Sequence, residues 1–209
     1  MKKIFFLAGL ALIWASCTNN SKTTAIQVAD STKTSMSNMK TDSKPDDKNL
    51  KVVKPTFTNM DAGVSSGINK LTGDYMNLKN TLVADDASGA ADAAGTMAND
   101  LKNVDKSKFT AEQKTAYEKN EDDLKENTEH ISKSKNDIHH QREHFGMLSD
   151  DMVDLVKFFG NAQPLYNDHC PMADDKKGSN WLSETNQIKN PYMGKKDMTC
   201  GNVVEVIKK

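Results

Sequence analysis

Residues 110–160 read TAEQKTAYEKNEDDLKENTEHISKSKNDIHHQREHFGMLSDDMVDLVKFFG. Tyr117, Leu124, Ile131, Ile138, Phe145, Met152 and Phe159 recur at seven-residue intervals, joined late by Leu148, Leu155 and Val156. A period of 3.5 lines apolar side chains along one seam, which must pack against other helices. Thr110 with Gln113 makes the capping box that starts such a helix, and Gly160 with Pro164 ends the pattern. No Pro or Gly interrupts residues 111–145, so the stretch reads as one very long helix or as two. Two helices, broken within Ser132–Asn136, are preferred, because four helices of about 20 residues close into a bundle without stranding an apolar face.

The preceding residues supply the other two helices. Val64, Ile68, Leu71, Tyr75, Leu78 and Leu82 recur at spacings of three and four, one face of a helix that ends near Asp85-Asp86. The paired aspartates suit the start of a second helix from Ala87 to about Val104, whose small face of Ala90, Ala91, Ala94, Met97 and Leu101 permits close packing. The expected fold class is therefore all-α: an up-down bundle of about four helices, with residues 161–209 as an irregular loop region packed on one end.

The N-terminus reads as an address. Lys2 and Lys3 precede an apolar run from Ile4 to Ala15, too short to span a bilayer comfortably, and Ala15-Ser16-Cys17 follows. A cysteine after small residues at the end of such a run resembles the lipobox of bacterial lipoproteins, with Trp14 where Leu is usual. That resemblance implies lipid attachment at Cys17 and a membrane-anchored protein facing the periplasm, in the cell envelope or outer membrane. An ordinary secretory signal and an uncleaved anchor are the other readings. Residues 18–60 are polar and aperiodic, as expected of a disordered tether, and residues 61–209 make up the domain. The formal net charge of -1 and the lack of a basic stripe interleaved with aromatics exclude nucleic acid as a partner. No Ser/His/Asp order, paired-carboxylate motif or phosphate loop points to an enzyme.

Two of the three cysteines remain for the domain, Cys170 and Cys200, each two residues from a methionine. Around them Tyr166, Trp181, Leu182, Pro191 and Tyr192 are the anchors for packing residues 161–209 on the bundle, and Val203, Val204, Val206 and Ile207 form a strand-like run. A disulfide closing a loop of about 30 residues would contribute roughly 3 to 4 kcal/mol. Alternatively, Cys170-x-Met172 facing Met198-x-Cys200, with His169 alongside, is a near-symmetric set of soft ligands suited to Cu(I). Thiol redox catalysis ranks third, since neither cysteine lies in a context that lowers its pKa. Among the histidines of the last helix, His140 and His144 have the i, i+4 spacing of metal ligands. With no third ligand at helical spacing, they read first as a solvated face, and His144, beside Phe145, is the one placed to meet something. Arg142 is expected to pair with Asp168 or a backbone carbonyl.

Tyr166-x-x-His169-Cys170-Pro171-Met172-Ala173, Trp181-Leu182-Ser183, Asn190-Pro191-Tyr192-x-Gly194 and Met198-x-Cys200-Gly201 resemble the signature of Domain of Unknown Function family 3347. So do Leu82-Val83-Ala84-Asp85-Asp86-Ala87 and Gln141-Arg142-x-x-Phe145-x-x-Leu148-Ser149. The resemblance covers about residues 65–207. It implies an extracytoplasmic domain without assigned enzymatic activity, found in lipoproteins and appended to adaptor subunits of heavy-metal efflux pumps. The Cys-Pro-Met element is also similar to the short heavy-metal-binding element of such adaptors. Cys170, Met172, Met198 and Cys200 occupy the family's sulfur positions, whereas His169 and Met193 stand where the family tolerates other residues. The function so implied is binding of a soft heavy metal, most readily Cu(I), with candidate ligands Cys170, Met172, Met198, Cys200, His169 and His144. The alternative is a disulfide-stapled helical module that docks on an efflux adaptor or another envelope protein.

Overall fold

The structure, a computed structural model, describes residues 50–209. The signal segment, Cys17 and residues 18–49 of the expected tether lie outside the described residues. Four long helices form: α1 (Ala62–Val83), α2 (Ala87–Lys102), α3 (Ala111–Lys133) and α4 (Ile138–Phe159). Each begins at a side chain that accepts a hydrogen bond from the first turn, satisfying amides that otherwise have no partner. Asp61 receives Gly63 N, Asp86 receives Gly89 N, and Asp137 receives His140 N. Thr110 and Gln113 complete the capping box at α3. The long heptad stretch is two helices, broken over residues 134–137, where Asp137 caps the second.

Consecutive helices pack on one another, and α4 returns to α1. Short connections make each neighbour antiparallel to the last. The seam residues Tyr117, Leu124, Ile131, Phe145, Met152 and Phe159 are fully buried, and burial of each such side chain contributes about 1.5–3 kcal/mol. Tyr75 of α1 stacks on Phe145 of α4 with ring centroids 5.2 Å apart. Among the described residues, no helix is long and apolar enough to cross a membrane.

The all-α expectation requires correction. Residues 161–209 are not an irregular loop region but carry three strands, β2 (Leu165–Cys170), β3 (Ser179–Ser183) and β4 (Asn202–Ile207), and β1 (Lys51–Val53) joins them from before the bundle. The order is β1-β4-β2-β3, with β1 parallel to β4 and β2 antiparallel to both β3 and β4. The fold is a four-helix bundle with a four-stranded mixed sheet. Two features hid the sheet. A register shift between Asn167 and Asp168 turns two successive residues inward and breaks the period-two pattern. The inward positions are also polar: Asn167, Asp168, Ser183 and Glu205 are all buried.

The folded part also starts before residue 61. Lys51 lies opposite Glu205, Phe57 N donates to Phe158 O at 2.8 Å, and Lys208 N donates to Val53 O at 3.0 Å. These partners are distant in sequence, so local composition carries no trace of them. Glu205 joins the layers, since its carboxylate accepts from Lys51 of β1 at 2.9 Å, Lys157 of α4 at 2.6 Å and Asn167 of β2 at 3.2 Å. The sheet rests on the bundle through β3 and α4. Tyr75 Oη accepts from Leu182 N at 3.2 Å and shares a hydrogen bond with Ser149 Oγ at 2.8 Å.

Burial disfavours the Glu205 carboxylate, but hydrogen bonds from Lys157, Lys51 and Asn167 outweigh it and hold its pKa at about 2. A depressed carboxyl contributes stability above its ordinary value of 4.5 and loses that contribution as pH falls toward 2. Urea denaturation should therefore show Glu205→Gln less stable than the wild type by about 2 kcal/mol at pH 7. The difference should shrink as pH falls from 4.5 toward 2.

Candidate functional site

Cys170 ends β2, and Cys200 lies two residues before β4. His169 is opposite Asn202 in the antiparallel ladder, so the next step along it would set Cys170 opposite Gly201, with Cys200 one residue beyond. Their Sγ atoms are 2.6 Å apart, although 30 positions separate them in sequence. They are not joined in a disulfide here; Cys170 is buried and Cys200 half-buried. Gly201 makes the approach possible. Its φ is +134°, and a Cβ there would stand 2.8 Å from His169 O and 2.9 Å from the Trp181 ring.

The fully buried Asn190 sets the path of the second thiol. Its Nδ2 donates to Cys200 O at 2.7 Å and its backbone N donates to Met198 O at 2.9 Å. Its Oδ1 accepts from Tyr192 N at 2.8 Å and Met193 N at 2.9 Å. Tyr192 in turn packs edge-on against Trp181 and donates its hydroxyl to Asn180 O. The hydrogen bond with Cys170, and then burial, raise the Cys200 thiol to about 11. The thiol is therefore neutral near pH 7, unlike the low-pKa cysteines of redox catalysts.

The other residues singled out from the sequence fall into two groups. Met172 and Met198 sit on the two segments that deliver the thiols. Met172 is half exposed, and its backbone amide hydrogen-bonds Cys200; the Met198 carbonyl is held by Asn190. His169 and His144 engage elsewhere. Neighbouring residues of a strand face opposite sides, and His169 Nδ1 pairs with Asn180 Oδ1 at 3.0 Å, whose Nδ2 reaches Asp150 of α4 at 3.1 Å. His144 Nδ1 pairs with Asn127 Oδ1 at 2.9 Å, and its ring stacks on His130 with centroids 4.3 Å apart.

Sequence reasoning missed His130. His130, His140 and His144 each offer a ligand atom within 4.8 Å of the others. The third ligand comes from the neighbouring helix, beyond the reach of i, i+4 spacing. The signal was present in the seam: His130 precedes Ile131 as His144 precedes Phe145, and folding α3 against α4 sets these flanks side by side.

Residues 71–164 match the model of the family described as "Protein of unknown function (DUF3347)". Over these residues, less than half of the chain, the bundle is similar to that family. No curated protein and no solved structure matches the chain. The match to DUF3347 takes in the Leu82–Ala87 and Gln141–Ser149 runs and stops short of the sulfur motifs. Those two runs meet at Arg142, whose Nη2 donates to Leu82 O at 2.9 Å and Asp85 Oδ1 at 2.6 Å, while Nε donates to Pro191 O at 2.7 Å. Arg142 thus takes backbone carbonyls and Asp85, not Asp168. Asp168 is buried, and burial pushes its carboxyl up to about 7 against the pull of Lys79. Gln141 Nε2 donates to Ala87 O at 2.9 Å. The bundle therefore grips, through Arg142, the loop that leads to Cys200.

Asn190→Ala should leave the loop amides and Cys200 O without their partner and cost about 1–3 kcal/mol of stability. In the reduced protein it should also speed reaction of Cys200 with a thiol reagent under native conditions. An unchanged rate would show that Asn190 does not position the thiol.

Proposed function

We propose that this protein binds a soft metal ion, Cu(I), at Cys170 and Cys200, and hands it on by ligand exchange without turnover. The meeting of the two thiols at the end of the β2–β4 ladder, 2.6 Å apart, carries this reading. Thiolate and thioether sulfur favour Cu(I) over hard cations, and two thiolates supply charge for a cation entering a half-buried site. Metal entry requires the sulfurs to part to roughly 4 Å, given metal–sulfur bonds of about 2.3 Å. Cys200, half-buried on the approach to β4, is the ligand placed to move. The exposed, flexible thioether of Met172 is placed to close as a further ligand, with Met198 as the other candidate. Binding releases the proton of the neutral Cys200 thiol, so affinity rises with pH.

The setting we propose is the cell envelope, with the chain anchored through lipid at Cys17 and serving metal handling or efflux beside a heavy-metal efflux adaptor. The leader pattern before Cys17 and the resemblance of the Cys-Pro-Met element support it. One observation favours a second reading: the thiols lie within a small movement of the roughly 2.05 Å disulfide bond. On that reading the pair is a staple, and the domain is an interaction module docking on an envelope partner.

Competition titration of the fully reduced chain against a Cu(I) chelator separates the two. Binding tighter than micromolar, abolished by Cys170→Ser or Cys200→Ser, weakened about tenfold (about 1.4 kcal/mol) by Met172→Leu and indifferent to Mg2+, supports the metal reading. Weaker binding, together with no free thiols in the protein as isolated, establishes the staple instead.

A further inference from the structure

We propose that His130, His140 and His144 form a second, independent metal site, which takes a borderline divalent ion such as Zn2+ and pins α3 to α4. His130 lies in the last turn of α3, while His140 and His144 lie one turn apart on one face of α4. Three imidazoles from two helices are thus gathered with ligand atoms within 4.8 Å of one another. In a tetrahedral site with metal–nitrogen bonds of about 2.1 Å, the nitrogens stand roughly 3.4 Å apart. The rings therefore need small rotations and no backbone rearrangement. The His130 side chain is 49% exposed and free to make them.

The surroundings are those of ligands held ready. A metal-binding imidazole normally has its other ring nitrogen fixed by an oxygen, which sets the tautomer and aims the lone pair. His144 Nδ1 has the carbonyl oxygen of the buried Asn127 at 2.9 Å, leaving Nε2 as the lone-pair donor. His140 Nδ1 has Glu143 Oε2 at 3.3 Å, and the other oxygen of that carboxylate lies 3.2 Å from His139 Nδ1. Glu126 Oε1 stands 3.9 Å from His130 Nε2. Two carboxylates therefore border the three rings and offset the charge of an incoming cation. Imidazole donors suit Zn2+, Ni2+ and Cu2+ and discriminate against Mg2+ and Ca2+. Three protein ligands leave a fourth position for water or an outside ligand.

Calorimetric titration of the untagged, reduced chain with Zn2+ tests the proposal, using His130→Gln as the decisive variant because this exposed side chain is not needed for the fold. Cys170→Ser identifies any Zn2+ taken by the thiols. The expected result is a site of micromolar or tighter affinity that survives Cys170→Ser, is weakened at least tenfold by His130→Gln and by His144→Gln, and raises the Tm of the wild type but not of His130→Gln. Ring-nitrogen NMR shifts on Zn2+ addition should fall on His130, His140 and His144. Zn2+ binding that is identical in wild type and His130→Gln, or that disappears with Cys170→Ser, overturns the proposal.

Discussion

The Arg142 guanidinium is the joint on which the rest of the molecule depends. From one side of α4 it reaches the Leu82 carbonyl in the last turn of α1, the Asp85 carboxylate and the Pro191 carbonyl. A planar fork of donors suits this task, and a lysine would satisfy fewer partners at once. Asp85 answers from the left-handed region, φ +57°, where Asp is tolerated better than most residues. Its second oxygen accepts from Lys195 N at 3.0 Å. Gly194 lies so close to both groups that a Cβ would collide with the Asp85 carboxylate and the guanidinium. The hydrogen bond from Arg142, and then that from Lys195, hold the Asp85 carboxyl below the usual carboxylate range. The bundle and the loop are therefore one construction, and Asn190, next to Pro191, carries the constraint on to Cys200.

The helices were legible because each rests on local chemistry. The seam from Tyr117 to Phe159 repeats within one chain segment, and the caps at Asp86, Thr110 and Asp137 are short-range hydrogen bonds. The sheet rests on long-range pairing that local pattern does not record. Lys51–Val53 is three residues long and meets a partner at the far end of the chain, and β2 buries Asn167 and Asp168 in succession at its bulge. At Glu205 an ionised side chain occupies the place of a strand hydrophobe and is sustained by two lysines from other elements.

The candidate site divides along the same line. The symmetric Cys170-x-Met172 and Met198-x-Cys200 spacing marked the thiols as a pair, and the β2–β4 pairing brings their segments together. His169 was grouped with them for its place beside Cys170, and His144 for its place beside Phe145 of the seam. Strand alternation turns His169 to the other face of the sheet, and the α3–α4 hairpin gives His144 a different neighbour, His130. Spacing within one element predicts shared faces, whereas ligand sets that cross elements emerge only once packing is known.

The central claim is that Cys170 and Cys200 act as metal ligands and not only as a structural link. X-ray absorption at the copper edge of the reduced, Cu(I)-loaded chain tests it most directly. The account predicts a first shell with at least two sulfurs at roughly 2.3 Å, lost in Cys200→Ser. A shell of nitrogen and oxygen alone, or sulfur ligation that persists unchanged in Cys200→Ser, would contradict it.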